Sequence, residues 1–196
     1  MSLLRTAWRA LCVVALLAAA GAASAAGPEP MARLVPGQGQ IAFVTKQMGV
    51  PVEGEFRKFD AQIAFDPKKP EGGTVALQID MASATLGVPQ TDAELPKAPW
   101  FDTARFPKAS FQSSAIRSLG GGRFEVAGRL TLKGHAQELV VPVAITQSAD
   151  RSTATGSFTI QRLAFKVGDG EWTDTSMVGD EVQVRFKLVM TGLRPL

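Results

Sequence analysis

Regular alternation of apolar and polar residues runs along most of this chain after Gly39. Residues 123–134, RFEVAGRLTLKG, and residues 181–191, EVQVRFKLVMT, are the clearest examples. Successive side chains of a β-strand point to opposite faces of a sheet, so a period of two predicts strands with one apolar and one polar face. About eight such runs follow one another, separated by Gly, Pro and Asp turn signals. The pattern therefore predicts an all-β fold of antiparallel strands.

Two architectures are compatible with these strands and their short connections. A sandwich packs two apolar faces against each other in a filled core, whereas an up-and-down barrel closes on itself. A barrel of about eight strands encloses either its own side chains or one small ligand. Alternation alone does not distinguish these interiors. Between Phe56 and Phe59 the apolar parity switches, which predicts a β-bulge at Arg57 and Lys58.

One stretch of the chain lacks the strand period. It is the segment 90–107, QTDAELPKAPWFDTARFP. Side chains such as those of Thr91 and Asp92 cap helices, and a proline ends them. We therefore expect a single short helical turn, capped by Thr91 or Asp92 and ended by Pro96.

The first residues have the features of an export signal. Arg5 and Arg9 precede an apolar stretch that leads into small residues. This order is typical of a secretory signal peptide. We expect residues 1–26 to be removed by cleavage after Ala25 or Ala26, and the mature protein to be periplasmic.

The mature chain is expected to be one nearly neutral domain without cysteine. The single cysteine, Cys12, lies inside the signal. Removing the two signal arginines from the 21 basic residues leaves 19 against 18 acidic ones, and these are scattered. No basic patch for nucleic acid is formed. We expect a flexible N-terminal segment at 27–38 and one barrel domain at 39–196.

The sequence offers little for catalysis or metal binding. The only histidine, His135, follows Gly134 in a predicted hairpin turn, and no thiol remains after cleavage. A catalytic triad or a zinc site needs such groups. The acidic segment 168–181 lacks the spacing of a calcium loop, so we interpret it as a solvated loop. We predict no catalytic residue, no metal site and no obligatory cofactor.

The inward-facing positions are strongly apolar. Eleven phenylalanines and no tyrosine occur in the chain, which avoids buried hydroxyls that would need partners. Small residues share the inward phase and are expected to leave room for a cavity: Gly54, Ala61, Gly128, Ala154 and Gly156. A packed core and a ligand cavity both remain open on these grounds.

Several segments in order resemble the YceI-like family of exported lipid-binding proteins, over residues 41–190. They are GEFRKFDAQIAFDP at 54–67, TDAELPKAPWFDTARFPKASFQSS at 91–114 and GRLTLKG at 128–134, with a looser match in FTIQRLAFKVG at 158–168. The resemblance implies an extended, lipocalin-like, eight-stranded antiparallel β-barrel whose lumen takes a polyisoprenoid tail. The expected ligand is a prenyl quinone such as ubiquinone, or a prenyl phosphate.

The inward phase and the resemblance together predict the ligand-binding residues. The barrel wall is expected to include Phe43, Phe56, Ile63, Phe65, Leu77, Phe111, Val126, Leu130, Val143, Phe158, Ile160, Phe186 and Leu188. The lid or mouth is expected to include Trp100, Phe101, Phe106 and Trp172. Arg162 is the expected donor to the ligand's head group, because a guanidinium can bind a phosphate or a quinone carbonyl; its alternative role is a structural ion pair at the barrel rim. The chain departs from the family at Gln47 and Met48, where many relatives have a histidine, and at Ala164, where an acidic residue is usual.

Two other interpretations of function remain. An apolar tube could carry a fatty acid or fatty amide instead. A filled barrel could be a ligand-free interaction module that partners a membrane b-type cytochrome. Transient contact with the inner membrane and assembly into a homodimer are further expectations about partners.

Overall fold

The computed structural model describes residues 32–196, which form one curled antiparallel sheet of eleven strands and very little helix. No helix in this part of the chain is long and apolar enough to cross a membrane. The strands are β1 (Arg33–Leu34), β2 (Gln40–Gln47), β3 (Val50–Phe56), β4 (Phe59–Ala64), β5 (Thr74–Asp80), β6 (Ala84–Thr85), β7 (Lys108–Gly120), β8 (Arg123–Leu132), β9 (His135–Ser148), β10 (Arg151–Gln161) and β11 (Glu181–Thr191). Helix α1 spans Pro89–Asp92, and short 3-10 turns lie at Pro70–Gly72, Met81–Ser83, Arg162–Phe165 and Gly170–Thr173.

The strands follow an up-and-down path that curls into a barrel. Their hydrogen-bonded order is β4, β5, β7, β8, β9, β10, β11, β2, β3 and β6. Strand β3 pairs with β2, whereas β4, which follows it almost directly, pairs with β5. The β3–β4 run is thus one bent strand that joins the two sides of the sheet. Counting it as one, the barrel has eight long strands, and β1 and β6 are two-residue additions. The all-β, lipocalin-like barrel is confirmed.

The bend between β3 and β4 lies where the parity switch predicts it. The amides of Arg57 and Lys58 do not join the ladder but donate to Ser83, at its carbonyl oxygen (3.2 Å) and its Oγ (3.0 Å) respectively. Ser83 Oγ is itself within 2.6 Å of the Asp80 carbonyl oxygen. The 3-10 turn after β5 therefore satisfies the backbone groups that the bend frees.

The described N-terminal residues belong to the barrel. Ala32 is 1% exposed, and its amide donates to the Ile63 carbonyl of β4 at 3.1 Å. Strand β1 pairs with the end of β11. The barrel therefore begins before residue 39, and at least residues 32–34 of the predicted flexible segment 27–38 are fixed by pairing. The predicted signal peptide at 1–26 lies outside the described residues.

The helical turn begins earlier than the sequence predicts, and its capping is different. Helix α1 starts at Pro89, whose fixed φ favours the first position of a helix, and it has no side-chain cap. Asp92 ends the helix; its carboxylate accepts hydrogen bonds from Thr85 Oγ1 and the Leu86 amide, both at 2.6 Å. These two bonds lower the pKa of Asp92. The predicted cap is therefore wrong, because the loop before the helix uses the carboxylate.

Alternate connections of an up-and-down barrel lie at opposite ends. The β2–β3 turn, the segment 81–107, the β8–β9 turn and the loop 162–180 share one end, which we call the mouth end. The loop 65–73 and the β7–β8 and β9–β10 turns share the other, the packed end. Buried side chains fill the packed end, including Phe65 and Phe124, whose rings meet edge to face at 5.1 Å.

Candidate ligand-binding cavity

The barrel encloses a cavity of about 330 Å³, at the lower end of the usual size range of ligand sites. Inward-facing side chains of every long strand line it. Many of these large apolar side chains in mid-barrel, such as Phe158, Phe186 and Leu130, are only half-buried. In a filled core of the same composition they would be fully buried. The apolar face of the sequence therefore surrounds a lumen over its middle, and a packed core at one end.

Nearly all the predicted ligand-binding residues lie around this one cavity. Every residue predicted for the wall lines it, as do Trp100, Phe101, Arg162 and Trp172. Phe106 does not. Its ring lies over Gly134 in the β8–β9 turn and faces the guanidinium of Arg105 at 5.1 Å, so it supports the lid from outside.

Sequence reasoning missed further lining residues of two kinds. Some have the same alternation in the same strands and could have been included: Ile41, Val52, Val75, Ile79, Phe124, Leu132, Val141, Ile145, Val182, Val184 and Met190. Ile116 faces the cavity because a register shift after Ser113 reverses the phase of β7. Others come from connections at the mouth end. Met81 continues the alternation of β5, whereas four had no periodic signal: Leu86, Leu95, Val167 and Val178.

The inward glycines do not leave open space as the sequence suggests. A Cβ on Gly54 would overlap the ring of Phe43, which is paired with it across β2 and β3. Gly156 stands in the same relation to Phe186. A Cβ on Gly128 would likewise approach the Phe111 ring to 2.6 Å. The rings lie over the glycines, so these small residues accommodate phenylalanines along the wall.

Aromatic residues form the lid at the mouth end. Trp100 and Trp172 come from different connections, and their ring centroids are 5.3 Å apart. Phe101 is buried and contacts Phe56 of the wall at a centroid distance of 6.0 Å. The predicted lid is thus assembled from the segment 81–107 and the loop 162–180.

Arg162 has a different role from the one predicted. It is 2% exposed, and all five of its N–H groups point to backbone carbonyls of its own loop. Nε donates to Gly179 at 3.0 Å, Nη1 to Val167 and Gly168 at 2.8 and 3.1 Å, and Nη2 to Trp172 and Val178 at 2.7 and 2.6 Å. No N–H group is left for a ligand head group.

The alternative interpretation of Arg162, an ion pair at the rim, is also wrong. Among the described residues, the ion pairs do not include Arg162. Burial lowers its pKa, and the nearby charge of Asp180 opposes this effect only in part. Gly168 leaves space for the guanidinium: a Cβ there would overlap Nη1, and its φ of +78° also favours glycine. Arg162 therefore organises the loop that carries Trp172.

Lys133, in the β8–β9 turn, links the two parts of the lid, which are the segment 81–107 and the loop 162–180. Its side chain is buried, and Nζ donates to the Pro99 and Lys166 carbonyls at 3.2 and 2.5 Å. Its carboxylate partner is Asp169 at 3.3 Å. Because these partners are distant in sequence, no local pattern identifies this contact.

The acidic segment 168–181 is used for loop structure. Asp174 accepts from the amide and hydroxyl of Ser176, which lowers its pKa, and Asp180 accepts from the Leu163 amide at 2.9 Å. Within residues 32–196, no group of His, Cys, Asp and Glu side chains is arranged to hold a metal ion.

Few polar groups reach the cavity, and most are at its mouth. Gln47, Thr91 and Glu94 are exposed, and they are the lining residues that solvent reaches most freely. Thr45 lies deeper, next to Phe43 and Gln47 in the inward phase of β2. Its Oγ1 is buried and has no hydrogen-bond partner among the described residues.

Exposed apolar side chains surround the mouth. Met48 and Val50, in and just after the β2–β3 turn, are 68% and 63% exposed. Met177 is 44% exposed, and its carbonyl accepts from the Met48 amide at 2.9 Å. Val88, beside α1, is 48% exposed. These four residues form what we call the mouth rim.

Comparison with known proteins supports both the fold and the family. The family model described as the YceI-like domain matches residues 33–190. The crystal structure of BcnA from Burkholderia cenocepacia is 44% identical and covers 80% of this chain and 98% of that one, with a TM-score of 0.77. A structure described as a polyisoprenoid binding domain from Saccharophagus degradans, implicated in plant cell wall breakdown, has a TM-score of 0.67. At 18% identity, over 84% of this chain and 99% of that one, it shows the shared fold.

Curated relatives match over a shorter length. A UPF0312 protein of Azotobacter vinelandii is 32% identical over 108 residues, which are 53% of this chain and 56% of that protein. A UPF0312 protein of Vibrio cholerae is 28% identical over 102 residues, 52% of this chain and 54% of that one. The chain thus spans about half the length of the curated relatives it matches.

Proposed function

Because the chain belongs to the YceI-like domain family, we propose that it binds a polyisoprenoid lipid in its barrel and acts as a carrier or sequestering protein. The observation that carries this proposal is the lumen lined by half-buried apolar side chains from all long strands. The name of the structural neighbour from Saccharophagus degradans points in the same direction. A flexible isoprenoid tail is a ligand that such a surface can bind without specific polar contacts.

The polar groups of the lumen favour a prenyl quinone, such as ubiquinone, over a prenyl phosphate. A phosphate in an apolar cavity needs a cationic partner to offset its desolvation. The cationic side chain that lines the cavity is Arg162, and carbonyls take all its N–H groups. A quinone head is uncharged and needs only hydrogen-bond donors.

We assign the protein no catalytic step and no obligatory cofactor. The lumen has mainly hydrocarbon walls, and Glu94, the acidic side chain among the described residues that line it, is exposed at the mouth. His135 is exposed at the start of β9. Binding and release of lipid are therefore the chemistry that the site supports.

The proposed place of action is the periplasm, next to the inner membrane. The predicted signal peptide is the basis for the location, and the mouth rim supports membrane contact. Large apolar side chains exposed around the entrance of an apolar lumen can insert among lipid acyl chains. A tail could then pass from the bilayer into the lumen without crossing water.

The first test is mass spectrometry of an organic extract from the mature protein, purified without detergent from a membrane-rich host. We expect a prenyl quinone near one molecule per protein. Leu130→Asp and Phe158→Asp place a carboxylate in the wall and should abolish lipid retention, because a buried charge opposes the apolar tail. Thr159→Asp, on the outer face of β10, is the matched control and should retain lipid.

Other extracts would change the proposal in defined ways. A fatty acid or fatty amide would make the protein a carrier of a different amphiphile. No lipid in the extract, together with no uptake of added quinone, would contradict lipid binding and favour an interaction module. Normal retention by the folded Leu130→Asp and Phe158→Asp proteins would contradict the assignment of the wall.

A further inference from the structure

One hydroxyl among the residues that line the cavity has no hydrogen-bond partner in the described part of the protein. Thr45 Oγ1 has almost no accessible surface, and it forms no hydrogen bond with any group in residues 32–196. A buried hydroxyl without a partner is costly, and such groups are rare in native proteins. Valine has nearly the same shape and would fit the strand without this cost. The hydroxyl therefore calls for an explanation outside the barrel's own packing.

Its position is suited to a ligand head group. The inward phase of β2 runs from Ile41 and Phe43, which are buried, through Thr45 to Gln47, which is exposed at the mouth. Thr45 pairs with Val52 of β3, so the two side chains share the inward face. Thr45 thus lies just inside the entrance, where the polar end of a molecule would be if its tail pointed to the packed end. Its Oγ1 is covered in this structure, so contact with a head group requires a rotation about χ1 that turns the hydroxyl towards the lumen.

We propose that Thr45 Oγ1 is the hydrogen-bond donor that holds the uncharged, oxygen-bearing head group of the lipid just inside the mouth. This inference rests on the proposed function. It reassigns the head-group contact from Arg162, whose N–H groups are occupied, to a neutral hydroxyl. One neutral donor suits a carbonyl oxygen such as that of a quinone, and it does not suit a phosphate, which needs positive charge.

The test compares a lipid with a head group and one without. Trp100 and Trp172 both line the cavity, so quenching of their fluorescence by quinone reports quinone binding, and loss of that quenching on displacement by squalene reports squalene binding. The ligands are a short-tailed ubiquinone and squalene, an isoprenoid hydrocarbon. Thr45→Val should weaken quinone binding about three- to tenfold, the usual value of one neutral hydrogen bond, and leave squalene binding unchanged. Thr45→Ser should restore quinone binding in large part.

Two controls separate a ligand contact from a structural role. Thr159→Val makes the same substitution on the outer face of β10 and should change neither affinity. Without lipid, Thr45→Val should unfold at the same temperature as the parent or higher, because it removes an unpaired buried hydroxyl. Infrared spectra should show that the hydrogen-bonded carbonyl band of bound quinone is lost in Thr45→Val and present in Thr45→Ser.

The outcomes distinguish this inference from the proposed function. If the parent protein binds both lipids and Thr45→Val binds quinone equally well, the inference is wrong and the carrier function stands. If Thr45→Val weakens quinone and squalene equally, the residue acts through packing, and the inference is again wrong. If the parent protein binds neither lipid, both the proposed function and this inference are wrong.

Discussion

At the scale of single residues, the two most buried polar groups of the site differ in their hydrogen bonding. Arg162 has five N–H groups and five carbonyl partners, whereas the Thr45 hydroxyl has no hydrogen-bond partner within residues 32–196. The charged residue that sequence reasoning selects for ligand binding is therefore structural. The neutral residue that it overlooks is the better candidate for ligand contact.

The structural role of Arg162 predicts a large loss of stability on conservative substitution. Arg162→Lys should lower the free energy of unfolding by on the order of 3 kcal/mol, because an ammonium cannot satisfy five carbonyls placed around a planar fork. Urea denaturation measures this change. Arg185→Lys, in the exposed pair with Glu53, is the matched control and should cost under about 1 kcal/mol. An equally small effect at Arg162 would contradict the role of its hydrogen bonds in holding the loop.

Sequence alone could not reveal either role. The partners of Arg162 are backbone carbonyls of residues 167–179, and any residue type supplies a carbonyl. The pairing of Phe43 with Gly54 similarly depends on the register of β2 and β3. Residue identity gives the chemistry that a side chain can perform, but its partners are determined by tertiary structure.

At the scale of strands and loops, prediction succeeded where one face of an element is buried. Alternation identified the long strands, and the parity switch located the bend at Arg57 and Lys58, because a one-residue shift moves every following side chain to the opposite face. The connections at the mouth end have no such constraint. The start of α1 at Pro89 and the lining contributed by Leu95 and Val178 were accordingly missed.

The β2–β3 turn is the element most directly tied to membrane contact. Met48→Asp together with Val50→Asp should reduce binding to lipid vesicles and slow quinone transfer from them, because the charges oppose insertion of the mouth rim. Affinity for quinone in detergent-free solution should not change. Flotation assays and transfer rates measure these effects.

The matched control places the same charges elsewhere on the surface. Leu119 and Val140 are 44% and 55% exposed and lie outside the mouth rim, in β7 and β9. Leu119→Asp with Val140→Asp should leave vesicle binding and transfer unchanged. Equal loss in both double variants would mean that the mouth rim has no special role in membrane contact.

At the scale of the whole molecule, the interior of the barrel is packed at one end and open in the middle. Phe65, Ile116 and Phe124, near the packed end, are buried where the cavity ends, whereas Phe158 and Phe186 of mid-barrel line it and are half-buried. The same alternation produces both, which is why the sequence pattern left both a filled core and a lumen open. The difference depends on how the connections at each end fold inward.

A lumen of this kind predicts that affinity depends on tail length. Each isoprene unit moved from water to an apolar wall is worth roughly 3 to 4 kcal/mol before the cost of ordering the tail. In a series of ubiquinones with one head group, affinity should rise with each added unit until the tail reaches the packed end, and then level off. Dissociation constants for the series, measured in the same buffer, give the slope and the length at which it ends.

The Thr45→Val variant provides the internal control for this series. If tail and head contribute independently, its affinities should follow the same slope as those of the parent, lowered by a constant factor. Leu130→Asp should instead bind no member of the series measurably, since it places a charge in the wall that the tail contacts. Affinity that is high for the shortest tail and constant along the series would place the binding energy in the head group alone, and would contradict a barrel that works by enclosing the tail.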